Sequence, residues 1–269
     1  MKFTVLTLFP EIPRAFFENS IMAKAVEKGI IAYDLVNIRD FALDKHKKCD
    51  DAPYGGGAGQ LMMTEPLSRA LDSVKASRKR VIYVTPAGTP FTQKKAVELS
   101  REDELVFICG RYEGIDQRVI DFYVDDEISI GDYVMSSGEL AATVMVDAIY
   151  RLIDGVISSD SLAEESHSDG LLEYPQYTRP EVYKGLKVPE VLLSGNHELI
   201  RKWRLKKRLE KTLRVRPDMI WEARKNNQLS LEAELMIEEI TEQTAIKNCK
   251  KKHKLARKQL RESVNPGDL

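Results

Sequence analysis

The 269 residues include only three cysteines, four histidines and two tryptophans, and no window approaches the roughly 18 uncharged apolar residues of a membrane span. Each scarcity removes a class of protein. Cys49, Cys109 and Cys249 are odd in number and far apart. They argue against a disulfide framework and for a reducing compartment, the cytoplasm by default. His46, His167, His197 and His253 have no zinc-like spacing with one another or with the cysteines, so no structural zinc is expected. The opening MKFTVLTLFPEI has no basic leader and meets Pro10 and Glu11 at once, and it reads as a first buried strand rather than a targeting segment. Three catalytic signatures are also missing. Without G-x-G-x-x-G or G-x-x-x-x-G-K-[ST] the chain is not expected to be a dinucleotide dehydrogenase or a P-loop NTPase. Without G-x-S-x-G it lacks the nucleophile elbow of a serine hydrolase.

What is present is an apolar content of 43%, enough for a sizeable core, and a net charge of −1 that conceals an uneven division. Residues 1–160 are acidic on balance and residues 161–269 basic. RKWRLKKRLEKTLRVR (201–216) carries nine basic residues and one acidic, and KNCKKKHKLARKQLRE (247–262) eight and one. Such density suits a polyanion footprint, and it also suits a solvated helix face.

Short β-branched runs alternate with helical patterns through the first 155 residues: KFTVLTL, IAYDLVNI, RVIYVT, ELVFICG and VDDEISI. That alternation predicts an α/β fold, a parallel sheet covered by helices. Thr64-Glu65-Pro66 places a cap residue, an acid and a first-turn proline before LSRALDSV. From Glu139 to Ile153, helical spacing of Leu140, Val144, Ala148 and Leu152, widened by Met145 and Ile149, predicts a broadly buried helix. After Gly155 the polar SSDSLAEESHSDG reads as a linker, followed by Pro175, Pro180 and Pro189 and by helical patterns near 196–214, 217–225 and 230–246.

Glycines collect after the expected strands, in PYGGGAGQ (53–60), TPAGTP (85–90), CGRYEGID (109–116) and SIGDYVMSSGEL (129–140). In open α/β sheets ligands lie beyond the carboxyl ends of strands, where glycine lets backbone approach closely. One shared pocket is the economical reading.

These segments, with LLEYPQYTRPEV and VLLSGNHELIRKWRLK, make the chain resemble the TrmD family of bacterial tRNA (guanine-N1)-methyltransferases, of the SPOUT class, over about residues 1–240. The resemblance implies a trefoil-knotted parallel-sheet methyltransferase domain (1–160), an interdomain linker (161–175), a small C-terminal helical tRNA-binding domain (176–246) and a basic tail (247–269), assembled as a homodimer. It implies S-adenosylmethionine as methyl donor, tRNA as partner through the anticodon loop, and guanosine 37 as target. Donor-binding positions carried over are Tyr83, Val84, Thr85, Pro86 and Gly88, then Gly110, Arg111, Tyr112, Glu113 and Gly114, and then Ile130, Gly131, Asp132, Tyr133, Val134, Met135 and Gly138. Ala87 and Ser137 stand where relatives often have Gln and Gly, and Ser137 is the position at which a narrowed pocket is to be sought.

Methylating N1 of guanine requires removal of its proton, and a carboxylate base with a cation at O6 would serve. The resemblance assigns the cation to Arg151 and places the base at Glu165, a glutamate where relatives have aspartate, with Asp169 as the alternative. It also implies Mg2+ at Glu113. For tRNA it points to Arg179, Asn196, His197, Arg201, Arg204 and Lys206, with Trp203 read as packing. Two rivals stay open: a knotted RNA methyltransferase with another target atom, and an RNA-binding homologue that lost its base.

Overall fold

A computed structural model describes residues 1–158, 166–167 and 169–246. Glu165, Cys249 and the basic tail therefore lie outside the described residues. The chain divides into two compact units, Met1–Leu162 and Ala163–Leu269.

The first unit is built on five parallel strands, β1 (Lys2–Thr7), β2 (Ala32–Asn37), β5 (Arg80–Pro90), β6 (Glu104–Cys109) and β7 (Asp126–Ser129), in the order β2-β1-β6-β5-β7. The expected strands are all there. Residues 3–7 of β1 and 105–109 of β6 are buried throughout, as near-continuous apolar runs require when helices cover both faces of a parallel sheet. Those helices are α1 (Glu11–Phe17), α2 (Ser20–Glu27), α3 (Thr64–Ser73), α4 (Gln93–Leu99), α5 (Gln117–Tyr123) and α6 (Gly138–Tyr150). Against one face Phe3, Phe17 and Phe107 join Met145, Val146 and Ile149 of α6. Against the other, Leu6, Val106 and Ile108 meet Leu67, Ala70 and Leu71 of α3. Fully burying each large apolar side chain contributes about 1.5–3 kcal/mol.

Two local expectations are corrected. Helix α3 begins one residue early: Thr64 is its first helical residue and Met63 precedes it without a side-chain cap. Pro66 is then the third helical residue, where a missing N–H costs nothing because the first four have no intrahelical acceptor. In α6 the buried ridges are Ala141, Ala142, Met145, Val146, Ile149 and Tyr150, whereas Leu140 and Val144 are 54% and 51% exposed. The helix is apolar on most faces, so periodicity could not choose between them. The sheet takes the side whose alanines allow close approach.

Strand β5 runs past the expected RVIYVT to Pro90, because both Val84 and Thr89 pair with Ile128 of β7 and residues 85–88 bulge out between them. A Cβ on Gly88 would sit 2.5 Å from the Glu127 backbone, so the bulge returns to the sheet only through glycine. A small hairpin, β3 (Asp50–Asp51) with β4 (Leu61–Met62), carries the PYGGGAGQ loop.

In the second unit a hairpin of β8 (Val182–Tyr183) and β9 (Leu186–Lys187) precedes the short α7 (Glu190–Leu193), then α8 (His197–Val215), α9 (Pro217–Lys225) and α10 (residues 231–246). Leu209, Ile220, Ala233, Ile237 and Ile240 form its core together with Leu171. Residues 171–174, assigned to the linker by sequence, are thus packed into this unit: Leu172 N–H donates to Thr212 Oγ1 at 3.0 Å, and Leu171, Leu172 and Tyr174 are buried. Among the described residues no helix is long and apolar enough to cross a membrane.

Candidate active site

The carboxyl ends of the adjacent strands β6, β5 and β7 release three segments: 110–114, the 85–88 bulge and 130–137. They enclose a cavity of about 320 Å³. Of the seventeen residues expected around a methyl donor, fifteen line it: Tyr83, Val84, Thr85, Pro86, Gly110, Arg111, Tyr112, Glu113, Gly114, Ile130, Gly131, Tyr133, Val134, Met135 and Gly138. Gly88 lies outside, against the β7 backbone, and Asp132 is exposed. Ala87 and Ser137, singled out in the sequence as departures within these loops, also line the cavity; sequence reasoning did not name Ser129, Ser136 and Ala141. Ala141 follows Gly138 by three residues, so helical spacing put both on one face of α6; the others are chain neighbours of residues already named.

The wall is made of close backbone contacts. A Cβ on Gly138 would meet Gly110 N at 2.8 Å and Cys109 Cα at 3.0 Å, and Gly138 N–H donates to Gly110 O at 3.2 Å. The start of α6 therefore touches the β6 loop directly. Tyr112 has φ 58°, a left-handed conformation uncommon for a bulky residue. Bonds on both sides hold it: Glu113 N–H to Gln60 O at 3.0 Å and Gly114 N–H to Arg111 O at 3.1 Å. The first of these also fastens the PYGGGAGQ hairpin to the cavity rim. Ser129 Oγ donates to Gly131 O and accepts from Gly131 N–H, closing the third loop on itself.

Burial pushes the Tyr83 phenol up, against opposing hydrogen bonds from Thr85 and the Ile115 backbone, so it stays neutral at physiological pH. Burial also raises the Cys109 thiol well above its ordinary range, with the Glu139 charge adding to the effect. Neither is a nucleophile here. The arrangement suits binding of a nucleoside-sized ligand through backbone groups more than covalent catalysis. Among the described residues no group of three or more His, Cys, Asp or Glu could hold a metal ion. Glu113 is in the wall, with the hairpin pressed against it: a Cβ on Gly59 would lie 2.4 Å from its Cγ.

Arg151 caps the far end of α6 and is not in the cavity wall. One turn before it, burial raises the Asp147 carboxyl and the Arg151 charge opposes the shift.

Asp169 belongs to the second unit, where both carboxylate oxygens accept from Arg208, one at 2.7 Å. Arg208 is 8% exposed and also donates through Nε to Leu172 O. Five of the six residues expected to meet tRNA lie on α8 or cap its start. Asn196 is its N-cap, with Oδ1 accepting from Glu198 and Leu199 N–H. His197 and Arg179 are exposed, and Arg204 stacks over Tyr174 at 4.8 Å. Arg201 is held by Glu198 and Glu232, and Lys206 by Glu239. Trp203 packs near Tyr177, with ring centroids 6.3 Å apart.

Comparison with known proteins adds to this geometry. Residues 1–222 match the family described as tRNA (Guanine-1)-methyltransferase TrmD. The chain is 71% identical over 239 residues to a tRNA (guanine-N(1)-)-methyltransferase of Treponema denticola, covering 89% of this chain and 98% of that protein. It is 62% identical over 221 residues to one from Borrelia duttonii, covering 81% and 92%. The corresponding protein of Treponema pallidum is 59% identical over 240 residues, 89% and 96% of the two chains.

Proposed function

The chain belongs to the tRNA (Guanine-1)-methyltransferase TrmD family, and from that premise we propose that it transfers methyl from S-adenosylmethionine to N1 of guanosine 37 in the anticodon loop, in the cytoplasm. The carrying observation is the convergence of fifteen family-matched residues on one cavity at the carboxyl ends of β5, β6 and β7. The family membership is the ground for reading the sheet as trefoil-knotted, and the contact of Gly138 N–H with Gly110 O is compatible with it. Residues 1–160 are the catalytic domain in this reading, 161–170 the linker, 171–246 the tRNA-binding domain, with residues 171–174 packed into it, and 247–269 a basic tail.

The cavity fits the donor: glycines admit it to backbone N–H and C=O groups, and the wall is part apolar and part polar. When bound, S-adenosylmethionine supplies an electrophilic methyl group on a sulfonium centre. The protein's own work is to orient guanine N1 toward that methyl, remove the N1 proton and stabilise charge at O6. Arg151 takes the O6 role and Glu165 the base role. Asp169 is poorly suited to be the base, because Arg208 occupies both of its oxygens. Glu113 would be the contact for Mg2+, an ion that keeps most of its own water and asks for few carboxylates.

The length of α6 supports a homodimer. The thirteen-residue helix that starts at Gly138, in the cavity wall, carries the chain about 20 Å to Arg151, beyond the reach of one side chain. A second copy would bring its Arg151 to the cavity, and the exposed Leu140 and Val144 offer it an apolar face.

The test is methylation by Glu165→Gln and Asp169→Asn, with identification of the methylated nucleoside. We expect 1-methylguanosine from the unmodified enzyme and from Asp169→Asn, and at least a hundredfold loss in Glu165→Gln. A dead Asp169→Asn beside an active Glu165→Gln reverses the assignment. A 2′-O-methyl product would move the chain to another target atom.

A further inference from the structure

Glu139 is fully buried, carries a formal charge, and has no part in the mechanism above. A carboxylate taken out of water is tolerated only if its lone pairs are satisfied and its charge is balanced. Here both conditions are met by groups drawn from three separate stretches of chain. Thr7 Oγ1, at the end of β1, donates to Glu139 Oε1 at 2.5 Å. Ser137 Oγ, in the segment before α6, donates to Oε2 at 2.7 Å. Arg111, from the loop after β6, approaches side-on, with Nε 3.4 Å from Oε1 and a terminal nitrogen 3.1 Å from Oε2.

The consequences run into the cavity wall. Arg111, Ser136, Ser137 and Gly138 all line it, and Glu139 touches or adjoins three of these four. Arg111 has little freedom left: its other terminal nitrogen donates to Ser136 O at 3.2 Å, and its guanidinium lies over the Phe9 ring at 4.4 Å. Phe9 is fixed in turn, because its N–H donates to the same Thr7 hydroxyl at 2.9 Å. Ser137 is the N-cap residue of α6, yet it makes no side-chain cap bond. A serine at that position ordinarily accepts from a first-turn N–H. This one gives its hydroxyl proton to the carboxylate instead, which is a reason for serine here beyond capping.

We propose that Glu139 is a positioning residue for the methyl-donor site, a buried anionic hub that holds the 110–114 loop and the 136–138 segment at the spacing the donor requires. This rests on the donor-binding reading above. The hub acts through Arg111 and Ser137 and itself touches no substrate, so its loss should appear in donor affinity and leave tRNA affinity alone.

The experiment compares unmodified enzyme with Glu139→Gln by calorimetric binding of S-adenosylmethionine and by steady-state methylation with each substrate varied. Glutamine keeps the shape but loses the charge and presents an N–H2 to donors that need an acceptor. Hydrogen bonds to charged groups are strong enough that donor Kd and donor KM should rise tenfold or more. The tRNA KM should stay unchanged, and kcat at saturating donor should stay within about threefold. Unchanged donor affinity in folded Glu139→Gln overturns the proposal, as does a parallel loss in both substrates that only tracks the folded fraction. If Glu139→Gln does not fold, Thr7→Val removes one of the four donors from outside the cavity. It should then raise donor Kd about threefold, and no change would count against the hub. Failure of the unmodified enzyme to bind S-adenosylmethionine would instead refute the donor-binding reading itself.

Discussion

At the scale of single residues, the site is set by where side chains are absent. Gly138 is the clearest case, since an added Cβ would strike backbone atoms of Cys109 and Gly110 that have no rotamer to retreat into. Gly138→Ala is therefore expected to push α6 away from the β6 loop, costing about 1–3 kcal/mol of stability. It should weaken S-adenosylmethionine binding in calorimetry by at least tenfold. A variant that melts like the unmodified protein and binds donor normally would contradict this contact. The sequence could suggest that glycine mattered here but not why. Close approach between residues 28 positions apart in sequence is a property of the fold, and a glycine in a turn looks the same. The hub at Glu139 was invisible for a similar reason: a glutamate at the start of a helix reads as a favourable first-turn acid.

Among the elements, the parallel strands were the most legible. Their runs of buried β-branched residues have no competing reading at that length, and all five appear where expected. Helix α6 was legible as a helix but not as an orientation, because apolar residues on most faces leave the period intact and the direction open. The β5 bulge was not legible at all, since only pairing with β7 reveals it. At the amino ends of these strands, opposite the cavity, charges replace glycines. Arg80 bonds Asp126, Glu98 and Glu102, Lys95 bonds Asp126 and Glu98, and Lys79 bonds Glu104. Burial alone would raise the Asp126 carboxyl, but Arg80 and Lys95 outweigh it and hold it below the usual carboxylate range. Glu104 is likewise pushed up by burial and held down by Lys79 and Thr4. A folded-state pKa below the unfolded one adds stability above the unfolded value of about 4, and that stability is lost as pH falls through the folded value. Melting temperature should thus drop steeply below about pH 4. Asp126→Asn should be less stable at neutral pH and show a shallower drop, and an unaltered pH profile would show that these pairs carry no stability.

On the scale of the whole molecule, the acidic and basic halves of the sequence correspond closely to the two units, and the basic one is less open to phosphate than its composition suggests. Arg201 and Lys206 already have carboxylate partners, and Glu198 is lowered to about 2 mainly by its hydrogen bond to Arg201. Phosphates of an incoming tRNA would compete with Glu198, Glu232 and Glu239 for the same donors, a cost that a count of lysines and arginines misses. The carboxylate proposed as the base, Glu165, lies outside the described residues. Its assignment therefore stays with the sequence.

The length of α6 carries one more implication, for mixtures of defective chains. If each reaction centre joins the cradle of one copy to the arginine of the other, Gly138→Ala and Arg151→Ala injure different halves of it. At donor concentrations far below the Kd of Gly138→Ala, neither variant alone should keep more than a small fraction of the unmodified activity. Co-refolded in equal amounts, half of the dimers would pair one of each, and every such dimer would rebuild a single intact centre beside a doubly broken one. The mixture should recover about a quarter of the unmodified activity, an intersubunit complementation that a centre contained within one chain could not produce.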